Sequence, residues 1–233
     1  IIEGKNYSLR PGDILLTGSL DIHRPDIHAG KPYERIVIWL ADDFFGHLKE
    51  FYGEDLTACF TDAAVNDYRL IRPDNQHIVQ LKKLCSRISE ARQSKEIGSY
   101  ALASAYLTEL LVQISRAYYD TPESIRHDVV ENEKINEILV YINENLTEDL
   151  SLEHLAAAHY TSKYYLSRQF KQFTGLSLYQ YIMKKRLTVS RNMLRNGSSV
   201  LDACFQCGFG DYSNYLKAFK REFGKTPSKY LKV

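Results

Sequence analysis

The stretch YYLSRQFKQFTG, Tyr164 to Gly175, returns near the other end of the chain as NYLKAFKREFG, Asn214 to Gly224. A chain that repeats itself in this way must build two similar local units, because each copy carries the same arrangement of apolar positions. In the first copy Leu166, Phe170 and Phe173 fall at i, i+4 and i+7; in the second Tyr215, Phe219 and Phe223 fall at i, i+4 and i+8. Both spacings put large apolar groups on one stripe of an α-helix, where they form core. The opposite face is polar and basic: Lys163, Tyr164, Ser167, Arg168 and Lys171 in the first copy, and Tyr212, Ser213, Leu216, Lys217 and Lys220 in the second. Ser162 and Asp211 have N-cap chemistry, and Gly175 and Gly224 suit the left-handed residue that follows a helix.

A short helical segment precedes each copy across a tight turn. SLEHLAAA begins at Ser151 with Leu152, Leu155 and Ala156 as its apolar edge; SVLDACFQCGF begins at Ser199, and Ser199 and Asp202 have capping-box spacing. Each copy therefore predicts a helix, a turn and an amphipathic helix with a basic outer face. This is a helix-turn-helix, whose second helix fits a DNA major groove while the first braces it. Ile135, Ile138, Leu139 and Ile142 mark an opening helix, and Ser177 to Asn196 reads as a long connecting one. At 1.5 Å per residue that connector is roughly 30 Å long, close to the roughly 34 Å between successive major-groove faces of a duplex.

The charge distribution agrees. The whole chain carries a formal +1, but residues 1–130 hold 15 Lys/Arg against 19 Asp/Glu, and residues 131–233 hold 15 against 10. From Thr161 onward 14 Lys/Arg face only Asp202, Asp211 and Glu222. A basic field of this kind selects a polyanion, most simply nucleic acid. A length of 233 residues with 44% hydrophobic content can bury two cores, so two domains are expected. There is no apolar run of about 18 residues, and the opening IIEGKNYSLRPGD is too polar for a secretory signal, which predicts a cytoplasmic protein with no membrane partner. Cys59, Cys85, Cys204 and Cys207 are too few and too uneven for a disulfide scaffold and fit a reducing compartment.

Residues 131–233 resemble the tandem helix-turn-helix domain of the AraC-type transcription regulators. The resemblance rests on the two copies, on Gly208-Phe209 before the second basic helix, and on the closing FKREFGKTPSKY from Phe219 to Tyr230. It implies double-stranded promoter DNA as a partner, held by Ser162, Lys163, Tyr164, Ser167, Arg168, Lys171, Tyr212, Ser213, Leu216, Lys217 and Lys220. It also implies a homodimer, a small-molecule effector and contact with RNA polymerase, with neither a cofactor nor an enzymatic activity.

The acidic half carries weaker signals. YSLRPGDILL, Tyr7 to Leu16, reads as strand, turn and strand, and YERIVIWL, Tyr33 to Leu40, as another strand. These resemble the second half of the cupin-like β-barrel of sugar-responsive AraC-type regulators, so the chain is expected to begin partway into that barrel. The expected fold class is mixed: a partial cupin-like β-barrel plus helices, then an all-α tandem helix-turn-helix domain. Helical spacing at Ile78, Leu81, Leu84, Cys85 and Ile88, and at Leu107, Leu110, Leu111, Ile114 and Tyr118, marks two helices that either pair subunits or cover the barrel. Residues 1–120 form the expected sensing and dimerisation domain, the polar segment 121–131 with Pro122 a linker, and 132–233 the DNA-binding domain. Strand alternation puts Tyr33, Arg35, Val37 and Trp39 on one face, where aromatic rings and a guanidinium suit a polar ring such as a sugar. With His23, which the resemblance adds, the expected effector site is His23, Tyr33, Arg35 and Trp39, and the expected effector a carbohydrate.

Two enzyme readings compete. A cupin-type metalloenzyme fused to a DNA-binding domain would use His23, His28 and Glu34, but a spacing of five puts the two histidines on opposite faces of a strand. A DNA-repair methyl acceptor needs four thiolates around zinc, and only Cys59 and Cys85 precede the basic half. Cys204 and Cys207 have redox spacing but lie within a predicted helix, which makes them core residues.

Overall fold

The computed structural model describes residues 1–27, 30, 32–40, 46, 49–66, 68–121, 129–130 and 132–230. In chain order its elements are β1 (Asn6–Tyr7), β2 (Ile14–Leu15), α1 (Ala58–Val65), β3 (Leu70–Ile71), α2 (Asn75–Gln93), α3 (Ser99–Tyr119), β4 (Val129–Val130), α4 (Glu133–Glu144), α5 (Leu152–Ala158), α6 (Lys163–Thr174), α7 (Leu178–Arg195), α8 (Val200–Gln206), α9 (Tyr212–Phe223) and α10 (Pro227–Tyr230). The chain divides into two compact units, one of Ile1–Tyr7, Ser19–Asp26 and Val129–Val233, the other of Ser8–Gly18 and Ile27–Asp128.

The second of these units is built on the two long helices that the periodicity predicts. The Asp74 carboxylate caps α2 by accepting from the His77 N–H at 2.9 Å. Leu81, Leu84 and Leu110 are buried between α2 and α3, with Cys85, Ile88, Leu107 and Ile114 packed around them. A neighbouring cluster of Leu16, Cys59, Ala63, Ile71 and Tyr118 joins β2 and β3 to α1 and the end of α3. Helix α1 escapes sequence reading because it spans 8 residues and buries only Cys59 and Ala63, too little for a helical period to register.

The strands correct the sequence reading. β1 and β2 flank the expected turn, where the Arg10 N–H donates to Asp13 Oδ2 at 2.8 Å, yet they do not pair with each other. β1 pairs antiparallel with β4, Asn6 opposite Val130, and β2 with β3, Ile14 opposite Ile71. Arg72, just past β3, donates to both oxygens of Asp13 at 3.1 Å and so holds β3 beside β2. Residues 33–40 form no strand: alternation alone is insufficient, because a strand needs a neighbour's N–H and C=O groups. Among the described residues the sheets are these two-stranded ladders, and the expected partial cupin-like barrel is not formed by them. The fold is instead mostly helical. Of the expected linker, residues 122–128 and 131 lie outside the described residues, and Val129 and Val130 form β4.

The basic unit has two cores that share one helix. Ile135, Ile138, Leu139 and Ile142 of α4 pack with Leu155, Leu166 and Phe170 against Leu178, Tyr181 and Ile182 at the start of α7. Ala203, Cys204, Cys207, Phe209, Tyr215 and Phe219 pack against Leu187 and Leu194 toward its end. Residues 1–7 and 19–26, expected in the sensing domain, belong to this unit, and buried polar contacts explain why. Glu3 accepts from Lys185 Nζ at 3.1 Å, from the Tyr181 hydroxyl and from the Ile22 N–H. Lys185 also donates to the Leu20 carbonyl at 3.0 Å. Burial, and then the Glu3 charge, push the Tyr181 phenol well above its ordinary range.

Candidate nucleic-acid interface

Each head is capped as its sequence dictates. Ser151 and Ser199 begin α5 and α8 by accepting from the N–H groups of His154 and Asp202 at 3.2 and 3.1 Å. Ser162 and Asp211 begin α6 and α9 by accepting from Tyr165 and Asn214 at 3.2 and 2.6 Å. Asp202 takes its bond from the Ser199 hydroxyl at 2.6 Å, whereas both bonds of a capping box are made by Ser177 and Gln180 at the start of α7. Gly175 and Gly224 close α6 and α9 in the left-handed conformation, at φ 73° and 74°.

The turns of the two heads share one hydrogen-bond pattern. In the first, Thr161 N–H reaches the Ala156 carbonyl and Tyr160 N–H the Ala157 carbonyl; in the second, Phe209 N–H reaches Cys204 and Gly208 N–H reaches Phe205. Both are Schellman closures, which require a left-handed residue at Tyr160 and at Gly208.

The two heads are also braced together within the unit. Arg186, midway along α7, donates to the Leu146 carbonyl at 2.8 Å and the Glu148 carbonyl at 3.2 Å, in the loop that leads into the first head. Gly208 of the second head approaches the same loop so closely that a Cβ there would lie 2.1 Å from the Leu146 carbonyl oxygen. The buried Ser190 hydroxyl bonds the Tyr215 hydroxyl at 2.6 Å, tying α7 to α9.

The N-cap Ser162 and, on α6 itself, Lys163, Tyr164, Ser167, Arg168 and Lys171 are all exposed, while Leu166 and Phe170 are buried. Tyr164, Ser167, Arg168 and Lys171 line one shallow concavity together with Gln172, which periodicity did not single out. Lys163 Nζ lies 2.9 Å from Glu153 Oε1, an exposed pair that a phosphate can displace at small cost. On α9, Ser213, Lys217 and Lys220 are exposed, but Tyr212 and Leu216 are half-buried against the second core, so this face is narrower than the helical period suggests. Cys204 and Cys207 are buried core residues, and burial pushes the Cys207 thiol up to about 12, which leaves it inert as a nucleophile.

A histidine sits behind the first head's turn. His159 packs edge-on against Tyr141 with ring centroids 5.4 Å apart, and its Nε2 is buried without a hydrogen-bond partner. Burial first, then the Lys134 charge, hold its pKa below the ordinary value. A depressed folded-state pKa contributes stability that is present above the ordinary histidine pKa of about 6.5 and is lost as pH falls through the folded value. Denaturant midpoints should therefore fall as the pH is taken below about 6.5, and His159→Gln should flatten that fall. An unchanged slope in the variant would place the titration elsewhere.

The four expected effector residues fall in two compact units, His23 in the basic one and Tyr33, Arg35 and Trp39 in the other. His23 bridges to Ile2 in the basic unit, with Nδ1 3.3 Å from the Asp21 carbonyl, and is exposed. Tyr33, Arg35 and Trp39 belong to the other unit; the Arg35 guanidinium lies 5.9 Å from the Tyr33 ring centroid, and Trp39 is 82% exposed. Among the described residues no group of three or more His, Cys, Asp or Glu is arranged to hold a metal ion; His28 of the metalloenzyme reading lies outside them. No helix among them is long and apolar enough to cross a membrane.

Two braced helix-turn-helix heads with exposed basic second helices define a double-headed DNA-binding domain. Residues 155–232 match a helix-turn-helix domain family. The HTH-type transcriptional activator RhaS of an Enterobacter species is 32% identical over 160 residues, 67% of this chain and 55% of that protein. Its counterpart from Salmonella schwarzengrund is 26% identical over 230 residues, 97% of this chain and 78% of that protein. Among solved structures, the C-terminal domain of AraT, a response regulator from Geobacillus stearothermophilus, aligns with 25% identity over 43% of this chain and 85% of that one, with a TM-score of 0.42. The chain spans about half the length of the first of these relatives. It belongs to the AraC family of DNA-binding transcription regulators.

Proposed function

We propose that the protein is a sequence-specific regulator that reads two adjacent major-groove segments of promoter DNA, one with α6 and one with α9. The observation that carries this reading is the pair of basic outer faces on capped helices whose turns close identically and whose heads are braced through Arg186. In the first head Arg168 is assigned to guanine, for which its planar fork supplies two donors, and Lys171 to phosphate. In the second, Lys217 and Lys220 supply phosphate contacts, and the exposed edge of Leu216 suits a thymine methyl. The acidic unit is assigned the regulatory role, as a dimerising module that takes a small polar ring, carbohydrate being the favoured class. The support for that ligand is the cation and rings of Arg35, Tyr33 and Trp39, with His23 kept as the fourth residue of the proposed site.

Arg168→Ala tests the reading. On a duplex enriched from a random library by the wild-type chain, binding should weaken by roughly 10- to 100-fold, with relaxed preference at one base pair. Uniform weakening on every duplex would make Arg168 a phosphate contact, and failure of the wild type to enrich any sequence would remove the function.

A further inference from the structure

Only two non-glycine residues among those described adopt a left-handed backbone: Glu3 at φ 45° and Tyr160 at φ 51°. Such a conformation is sterically unfavourable for an L-residue and persists where something offsets it. For Glu3 the offset is visible in the chain, since its carboxylate gathers Lys185, Tyr181 and the Ile22 N–H. For Tyr160 it lies in the backbone alone, in the two Schellman hydrogen bonds of the turn, which a glycine would close as well. The residue is 96% exposed, so its side chain adds next to nothing to the core. The equivalent turn position in the second head is Gly208, the residue that suits this conformation at no steric cost. The first head thus carries a bulky, exposed phenol where its own fold favours glycine.

From this we infer that Tyr160 is a DNA-contacting residue of the first head, and that its hydroxyl donates a hydrogen bond to a backbone phosphate beside the groove that α6 enters. The assignment rests on the DNA-binding reading above and adds a residue to it. Tyr160 stands two positions before Ser162, the N-cap of α6, on the turn rather than on the groove-reading face of Tyr164, Ser167, Arg168 and Lys171. A helix-turn-helix presents the start of its second helix to the groove, so the turn beside it meets the phosphates that line the groove's edge. A phenol is suited to such a partner, being a neutral donor on a rigid ring that fixes position without specifying sequence.

The test uses the full chain, the enriched duplex above and a second duplex of scrambled sequence, at several salt concentrations. Tyr160→Phe removes the donor alone and should weaken binding by about 3- to 10-fold on both duplexes. The slope of log affinity against log salt should stay the same, because no counterion is released on account of a neutral group. Tyr160→Gly should weaken binding at least as much while its thermal midpoint stays level or rises, since glycine relieves the backbone strain. That pairing separates a contact from a structural role: a residue kept for folding would lose stability and affinity together. Wild-type affinity in Tyr160→Phe overturns the hydrogen bond, and wild-type affinity in Tyr160→Gly overturns the contact altogether. A loss confined to the enriched duplex would move Tyr160 from phosphate to base and overturn the assignment as stated. If the wild-type chain binds neither duplex, the DNA-binding reading itself fails, an outcome distinct from the others.

Discussion

Gly208→Ala should destabilise the basic unit by more than about 3 kcal/mol, because here the added methyl meets backbone. Two costs add. At φ 84° the backbone lies where an L-side chain costs about 1–2 kcal/mol. The new methyl carbon would also sit 2.1 Å from the Leu146 carbonyl oxygen and 2.9 Å from Arg186 Nε, and neither can withdraw freely because Arg186 is itself bonded to Leu146. Backbone of the first head's loop, the guanidinium and the second head's turn would have to separate together. Gly210→Ala, two residues on, is the control: nothing lies within 4 Å of a Cβ there, and no unfavourable φ applies. Denaturant unfolding of the two variants against wild type reads the difference directly. Equal midpoints would mean that the heads are not braced at Gly208.

The contrast between Gly208 and Tyr160 also marks what was legible in the sequence. The repeat gave the helices, caps and left-handed ends of both heads, because 3.6-residue periodicity and Ser, Asp and Gly punctuation are local signals that survive without tertiary context. The Arg186 brace was not legible, since its partners lie 40 and 38 residues away. Nor was the buried pairing of Glu3 with Lys185 at a separation of 182 residues, which places the opening segment with the basic unit. Long-range pairing of this kind leaves no periodic trace. Residues 33–40 failed in the opposite sense, for their alternation was plain but supplied no neighbour to bond. In the interface the basic faces were readable, yet Leu216 and Tyr212 lie partly in the core because α9 packs against Leu187 and Leu194 more broadly than three apolar positions suggest. Tyr160 carries a signal in the sequence that periodicity does not pick out. Aligning the two copies through their turns sets it against Gly208, and a tyrosine opposite a glycine is what a sterically costly exception looks like.

The spacing of the heads leads to the second large effect, on DNA. Helix α7 has 18 residues, about 27 Å at 1.5 Å per residue, and its two halves belong to two cores. With Arg186 and Gly208 joining the heads at its middle, the connector is a strut of fixed length, and both recognition helices must enter one side of the duplex. Inserting about 5 base pairs between the two contact segments turns one of them roughly half a turn away, so only one head can bind. The second head's binding is intramolecular, and its loss should weaken affinity on the order of 100-fold at constant salt. Inserting about 10 base pairs restores the face but adds roughly 34 Å, which a strut cannot bridge, so affinity should stay low. Arg186→Met sharpens the comparison, because it keeps the apolar stem of the side chain while releasing the Leu146 and Glu148 carbonyls. A loosened connector should narrow the gap between native and inserted sites by weakening the native one. Equal wild-type affinity for all three spacings would show two independently acting heads, and the strut would have to be abandoned even if both heads bind DNA.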